Sequence, residues 1–351
     1  MEFELLPGGP YHLTRCAWVL RQLPSDGTDV WIPAREVLPA EYRRLHIIDD
    51  TPVLVIVRQD PVERGSRLVV RTQPARLGNF PALREKVAWQ FHLDAPLNGF
   101  YARARNHPVF RPILKNLCGV MPLRPPTLFE MAVIAISEQQ LSYTVAVKMR
   151  SRLVNALGEK MVSQGTEYRA FPTPHSLAGC TVNDLRSLTF STRKAEYLID
   201  LSRKVTAGVF NIEALRDRPN QEVMDALISL RGFGRWSAEY FLARGLGRSE
   251  VVAGGDLGVQ TLVGKHLGPG HRVPEKECRR IMEEWGPYKR SAVFYLFCAS
   301  RLGFIAEPVA RRGRPHESQN ETNRPGGYVA FNGSGRPSLS NAPAPPLFRR
   351  R

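Results

Sequence analysis

Residues 221–260, QEVMDALISLRGFGRWSAEYFLARGLGRSEVVAGGDLGVQ, set how the rest of the chain is read. Leu230-Arg231-Gly232-Phe233-Gly234-Arg235 puts two glycines between apolar-periodic segments. This suits a tight hairpin joining two helices, because Gly takes positive φ at no steric cost. Val223, Leu227 and Leu230 share one helical face before the turn; Trp236, Tyr240 and Ala243 share one after it. Both helices therefore have an apolar side to bury.

A Gly-rich turn that feeds a helix leaves free amides at the positive end of the helix dipole, which suits a phosphate. Gly232 and Gly234 are the candidates for holding a nucleic-acid backbone, against the plainer alternative of an ordinary corner in a helical core. Twenty residues beyond Trp236, Asp256 stands in Gly254-Gly255-Asp256-Leu257-Gly258 at the start of another helix. An Asp there is in itself an ordinary N-cap. Taken together, LRGFGRWSAEYFLARGLG followed at this spacing by GGD resembles the helix-hairpin-helix (HhH-GPD) DNA glycosylases, and within them the alkylpurine type called 3-methyladenine DNA glycosylase II. The resemblance implies that the hairpin residues Arg231, Gly232, Phe233, Gly234 and Arg235 grip DNA and that Asp256 is the catalytic carboxylate.

Composition agrees with a polyanionic partner. The 351 residues carry a formal net charge of +16, and 43% are hydrophobic, enough for two or three domains with real cores. Cys16, Cys118, Cys180, Cys278 and Cys298 form no CxxC or metal-ligand cluster, so reduced thiols are expected and no iron-sulfur cluster. The N-terminal residues have neither a basic n-region nor an apolar h-region, and no run approaches a membrane span. A cytoplasmic protein follows as the expectation, nucleoid-associated if prokaryotic, with no membrane partner.

Along the chain, residues 1–76 read as a small α+β domain with an antiparallel sheet, its strands at 51–57 and 67–71 rich in β-branched residues. Residues 77–306 read as a helical body of two subdomains, with the hairpin at 221–246. Helix starts are expected at Thr127, as a capping box with Glu130, at Thr173-Pro174, at Thr181 with Asp184, and at Ser191. Val145, Met149, Leu153 and Leu157 mark one face of a helix ending at Gly158. Trp285-Gly286-Pro287-Tyr288-Lys289-Arg290-Ser291-Ala292 resembles the family's W-x-P-x-R-S-x-A, with Lys289 and Arg290 where Arg and Ser would stand. From 307 to 351 the composition turns to Pro, Gly, Ser, Asn and Arg, and reads as a disordered basic tail.

The corner Glu138-Gln139-Gln140-Leu141-Ser142 fits the alkylpurine pattern. The resemblance implies that Leu141 fills the gap left by an extruded nucleotide while Gln140 contacts the opposite strand; the alternative is a core leucine between surface glutamines. It also implies an aromatic base pocket of Trp236, Tyr240 and Phe297, where cation-π attraction recognises a positively charged alkylpurine. Relatives that also cut the strand have a Lys at the position of Trp236, so a monofunctional enzyme leaving an abasic site is expected. Many members place a proline shortly before the Asp, where this chain has Ala253-Gly254-Gly255, implying a more flexible approach. The implied partner is double-stranded DNA containing damaged bases, met by a monomer with no cofactor; the resemblance also allows a monovalent cation at the hairpin. Two alternatives stay open: a glycosylase for oxidised or deaminated bases, and a non-catalytic DNA-binding module.

Overall fold

The computed structural model describes residues 1–305 apart from 22, 35–38, 60–66, 76–77 and 96. The basic tail, and the boundary expected at 76/77, lie outside the described residues. The chain is mainly helical, with a small antiparallel sheet at its N-terminal end. That sheet holds β1 (Glu2–Leu5), β2 (Val30–Ile32), β3 (Glu41–Ile48), β4 (Thr51–Gln59) and β5 (Leu68–Gln73) in the order β1-β5-β4-β3-β2, with helix α1 (Leu13–Arg21) after β1. Every pairing is antiparallel, β3 meeting β4 from Tyr42↔Val57 to Ile48↔Thr51.

Helices α2 (Phe80–Phe91), α3 (Leu97–Ala104), α4 (Phe110–Leu117), α5 (Leu128–Glu138) and α6 (Tyr143–Leu157) follow. A short hairpin, β6 (Lys160–Ser163) and β7 (Thr166–Arg169), turns through Gln164 and Gly165, both at positive φ. Then come α7 (Pro174–Ala178), α8 (Val182–Ser187), α9 (Thr192–Thr206), α10 (Asn220–Ile228), α11 (Arg235–Tyr240), α12 (Leu257–His266), α13 (Glu275–Glu283) and α14 (Lys289–Leu302). After Tyr240 the helix widens into π-type turns over Phe241–Leu246, a departure that often marks a functional site. Gly245 lets this segment approach α5: a Cβ there would lie 2.5 Å from Met131 Cγ.

Two large apolar cores organise the described residues, with a smaller one around Leu54 and Tyr168 between the sheet and β7. The first joins the sheet and α2–α4 to α12–α14, through residues such as Val55, Phe91, Phe100, Trp285 and Tyr295. The second is built from α5 through α11, around Met131, Leu153, Leu198, Leu227 and Phe241. The sheet thus shares its core with the most C-terminal described helices.

The helix starts form for local reasons. Thr181 and Asp184 make a reciprocal capping box, and Ser191 and Thr173 accept from the third helical amide. Thr127 caps α5 in the same way, but the expected box with Glu130 does not close. The Glu130 carboxylate is instead buried against Arg44 of β3, at 2.7 and 2.8 Å. Glu213 takes its place, its Oε1 accepting from the amides of Leu128 and Phe129 at 2.8 and 3.2 Å. On α6, Met149 and Leu153 are buried as expected, whereas Val145 is 49% exposed.

Candidate active site

A cavity of about 680 Å³ opens between the two cores, within the range of small-ligand sites. Asp256 and Phe297 reach it from the first core's helices, Trp236 and Tyr240 from the hairpin helix, and Leu141 from the α5–α6 corner. The fold therefore brings together the catalytic and pocket residues expected from sequence. No lysine is among the described residues lining the cavity.

Asp256 has two structural tasks. It is the N-cap of α12, its Oδ1 accepting from Val259 N at 2.9 Å, and its Oδ2 accepts from Trp236 Nε1 at 3.1 Å. Both readings of this Asp are compatible, because a cap fixed at a helix start is a carboxylate held in one orientation. The preceding loop is not slack, contrary to what its glycines imply. Asp256 N donates to Ala253 O at 3.0 Å, Gly254 N to Val252 O at 2.9 Å, and Gln260 Nε2 to Gly254 O at 3.0 Å. A Cβ on Gly254 would lie 2.8 Å from Arg279 Cγ, and Arg279 is itself held by Glu239 at 2.8 Å and Glu275 at 2.6 Å. Close packing replaces a proline in aiming the carboxylate.

Trp236 and Tyr240, one turn apart, stack on each other with centroids 5.3 Å apart and planes inclined by 16°. That spacing leaves no room for a base between them, so a base can lie only against the outer side of the pair. Tyr240 Oη donates to Glu138 Oε2 at 2.8 Å and accepts from Arg244 Nη1 at 2.7 Å. Burial pushes the phenol's pKa up, and Glu138 beside it adds to this. Glu138 in turn faces Arg150 at 3.0 Å, and Arg150 faces Asp26 at 3.6 Å. These residues lay outside the sequence reading. Only Arg244, four residues after Tyr240 on the same helix, left a local signal.

The hairpin corrects part of the reading of its glycines. Gly232 has φ +94, and a Cβ there would lie 2.3 Å from the Tyr197 ring. Gly234 is extended at φ −111, with nothing near a Cβ, and serves as an N-cap that brings no side chain to the first amides of α11. Phe233 does not offer its side chain to DNA: it is 6% exposed in the second core, and its amide is already bonded to Leu230 O at 3.1 Å. Arg231 and Arg235 are exposed, Arg231 paired to Glu196 at 2.7 Å in a surface pair weak enough to be exchanged for another anion, and Arg235 to the buried Glu239 at 3.0 Å.

At the α5–α6 corner Gln140 is exposed with φ +54, and Leu141 is 41% exposed, so the alternative of a core leucine is not realised. The corner is clamped from two sides. Gln139 Nε2 donates to Gly232 O at 2.7 Å and Ser237 Oγ at 2.9 Å, while Lys194 Nζ donates to the carbonyls of Ser137 and Gln139 at 2.8 Å each. Gln139, not singled out from sequence, thus ties the corner to the hairpin.

A family model for "HhH-GPD superfamily base excision DNA repair protein" matches residues 133–288. The chain is 29% identical over 208 residues to DNA-3-methyladenine glycosylase of Bacillus subtilis (strain 168), covering 59% of this chain and 68% of that one. It is 30% identical over 169 residues to DNA-3-methyladenine glycosylase 2 of Escherichia coli (strain K12), covering 48% and 56%. Among solved structures, the fold matches 3-methyladenine DNA-glycosylase from Archaeoglobus fulgidus with a TM-score of 0.74 at 24% identity, over 86% of this chain and 99% of that one. Hairpin, cavity and these likenesses converge on the HhH-GPD superfamily of base excision DNA repair proteins, whose model residues 133–288 match.

Proposed function

We propose that this chain is a monofunctional DNA glycosylase that binds duplex DNA, extrudes a damaged, alkylated purine such as 3-methyladenine, and hydrolyses its N-glycosidic bond. The observation that carries the reading is the Asp256 carboxylate, fixed at the cavity wall by Trp236 Nε1 at 3.1 Å and by Val259 N at 2.9 Å.

As the glycosidic bond breaks, its electron pair leaves with the base and positive charge builds on the sugar. A fixed carboxylate in a water-poor cavity stabilises that charge without having to reorganise. Water then supplies hydroxide to the sugar carbon and gives up a proton. An alkylpurine already carries the positive charge that makes it a good leaving group, and the outer face of the Trp236–Tyr240 stack is an electron-rich surface for it. The absence of lysine among the described cavity-lining residues supports hydrolysis over a Schiff-base route.

The hairpin amides beside Gly234, with Arg231 and Arg235, would hold a backbone phosphate, and Leu141 would enter the gap left by the extruded nucleotide. A monovalent cation at the turn would be held by carbonyl oxygens such as those of Leu230 and Gly232, each of which keeps a second lone pair beside the hydrogen bond it accepts, from Phe233 N at 3.1 Å and Gln139 Nε2 at 2.7 Å. Incubating the full chain with duplex carrying 3-methyladenine, with and without alkali, tests the reading. Release of the base with breaks only after alkali is expected; breaks without alkali, or no release, would overturn it.

A further inference from the structure

A buried carboxylate that the chemistry above does not use links the hairpin to the loop carrying Asp256. Glu239 lies on α11 between Trp236 and Tyr240, with its side chain 8% exposed. Arg235, the exposed hairpin arginine, donates through Nε to Glu239 Oε1 at 3.0 Å. Arg279, on α13, donates through Nη2 to both oxygens of the same carboxylate, at 2.8 and 2.9 Å.

Arg279 also supports the approach to Asp256. A Cβ on Gly254 would lie 2.8 Å from Arg279 Cγ, and Arg279 Nη1 is 3.5 Å from Val252 O. Glu275, which accepts from Arg279 Nε at 2.9 Å, has its Oε2 3.4 Å from where a Cβ on Gly255 would be. The loop therefore rests on the stem of one arginine whose head is fixed on α11. Helix α13 packs in the first core through Cys278, Ile281 and Met282, whereas α11 packs in the second through Ala238. The Glu239–Arg279 pair thus ties the two cores together beside the Trp236–Asp256 hydrogen bond.

The double pairing of Glu239 has a use when DNA is bound. An exposed arginine that turns to a phosphate abandons its carboxylate, and a buried carboxylate left without a cation is costly. Glu239 keeps Arg279 in that event. Glu275 does not compete strongly for the same guanidinium, because it is half-exposed and solvated. We propose that Arg279 is a positioning residue that keeps Asp256 aimed while Arg235 leaves Glu239 for a DNA phosphate. This rests on the glycosylase reading for what Asp256 and the hairpin do. Arg279 acts through residues 252–255, and a carboxylate displaced by a fraction of its reach loses much of its effect on the reacting bond.

Arg279→Met alone would strand Glu239 once DNA takes Arg235, so the test uses E239Q/R279M, which removes both buried charges. The first readout is hydrogen exchange of the full chain bound to undamaged duplex. The amides of Gly254 and Asp256, bonded to Val252 O and Ala253 O, should stay protected in wild type and lose protection in E239Q/R279M, with the amides of α14 unchanged. The second is single-turnover release of 3-methyladenine at saturating duplex. It should fall by about 10-fold or more in E239Q/R279M with duplex affinity unchanged, and the same pair of substitutions should lower release no further in a D256N background, because they act through that carboxylate. If wild type releases no base while E239Q/R279M loses loop protection, the glycosylase reading fails and the hold of Arg279 on the Asp256 loop stands. Equal loop protection in the two proteins, loss of α14 protection along with that of the loop, a release loss matched by lost affinity, or one that persists in full in D256N would each overturn the positioning role.

Discussion

At the scale of single residues, the two hairpin glycines have different physical burdens. Gly232 combines φ +94 with the Tyr197 ring 2.3 Å from a would-be Cβ, whereas Gly234 is extended with open space around it. Gly232→Ala should cost about 1–3 kcal/mol of stability from the left-handed backbone alone, and more if Tyr197 cannot move. Gly234→Ala should cost less, about 0.5–1 kcal/mol, since Gly outranks Ala at an N-cap. Urea unfolding of both variants checks this, and equal losses would contradict the assignment. Asp256, Trp236 and Tyr240 were legible through the family resemblance, because one continuous stretch of sequence carries all three in its pattern. Glu138, Arg150 and Asp26 were not: they meet Tyr240 only through tertiary packing, and a lone charged residue on a helix reads as solvated until its neighbours are known. Phe233, named with the hairpin for its place between two turn glycines, sends its ring into the second core, a packing that no local pattern around it shows.

At the scale of elements, the α5–α6 corner and the hairpin act as one rigid piece. Gln139 bridges them, and Lys194 from α9 holds the corner's carbonyls, so Leu141 is presented on a fixed support despite being 41% exposed. Val145, one turn on and 49% exposed, extends the same apolar point. Leu141→Ala should therefore leave unfolding stability within about 0.5 kcal/mol of wild type and still lower base release from duplex by about 10-fold or more, because filling the gap offsets the few kcal/mol needed to extrude a nucleotide. Chemical unfolding and single-turnover release together check it; a stability loss that accounts for the activity loss would return Leu141 to a core role. The corner's clamp was invisible in sequence because its bonds run to α9 and to the hairpin. So was the cap of α5, where Glu213 takes the place of Glu130. The β6–β7 hairpin was also missed, although Gln164-Gly165 between two short polar strands is a turn signal.

At the scale of the molecule, the cavity lies between two cores, so its geometry depends on both remaining folded. The first core includes the sheet, and burial there keeps two histidines neutral. The pKa of His46 is pushed well below the usual value by burial, with Arg44 and Lys86 adding to it; that of His92 is pushed down by burial, then by Arg290 and Arg124. A depressed folded pKa contributes stability that is present above the unfolded value, about 6.5, and is lost as pH falls toward the folded value. The Tm should therefore decline from about pH 6.5 downward, and His46→Gln should flatten that decline. A wild-type Tm unchanged down to pH 5 would contradict the burial argument. The mainly helical class and the antiparallel sheet were readable from periodicity and β-branched runs. The sharing of one core by the sheet and α12–α14 was not, because no local pattern encodes a contact across most of the chain.

The proposed chemistry rests on the Asp256 carboxylate. Asp256→Asn keeps the size of the side chain and one cap-accepting oxygen but removes the negative charge. Release of 3-methyladenine from duplex DNA by D256N, measured in single turnover beside duplex affinity, should fall by about 100-fold or more, with DNA still bound. Release by D256N at a rate near that of wild type would show that Asp256 is only the cap of α12.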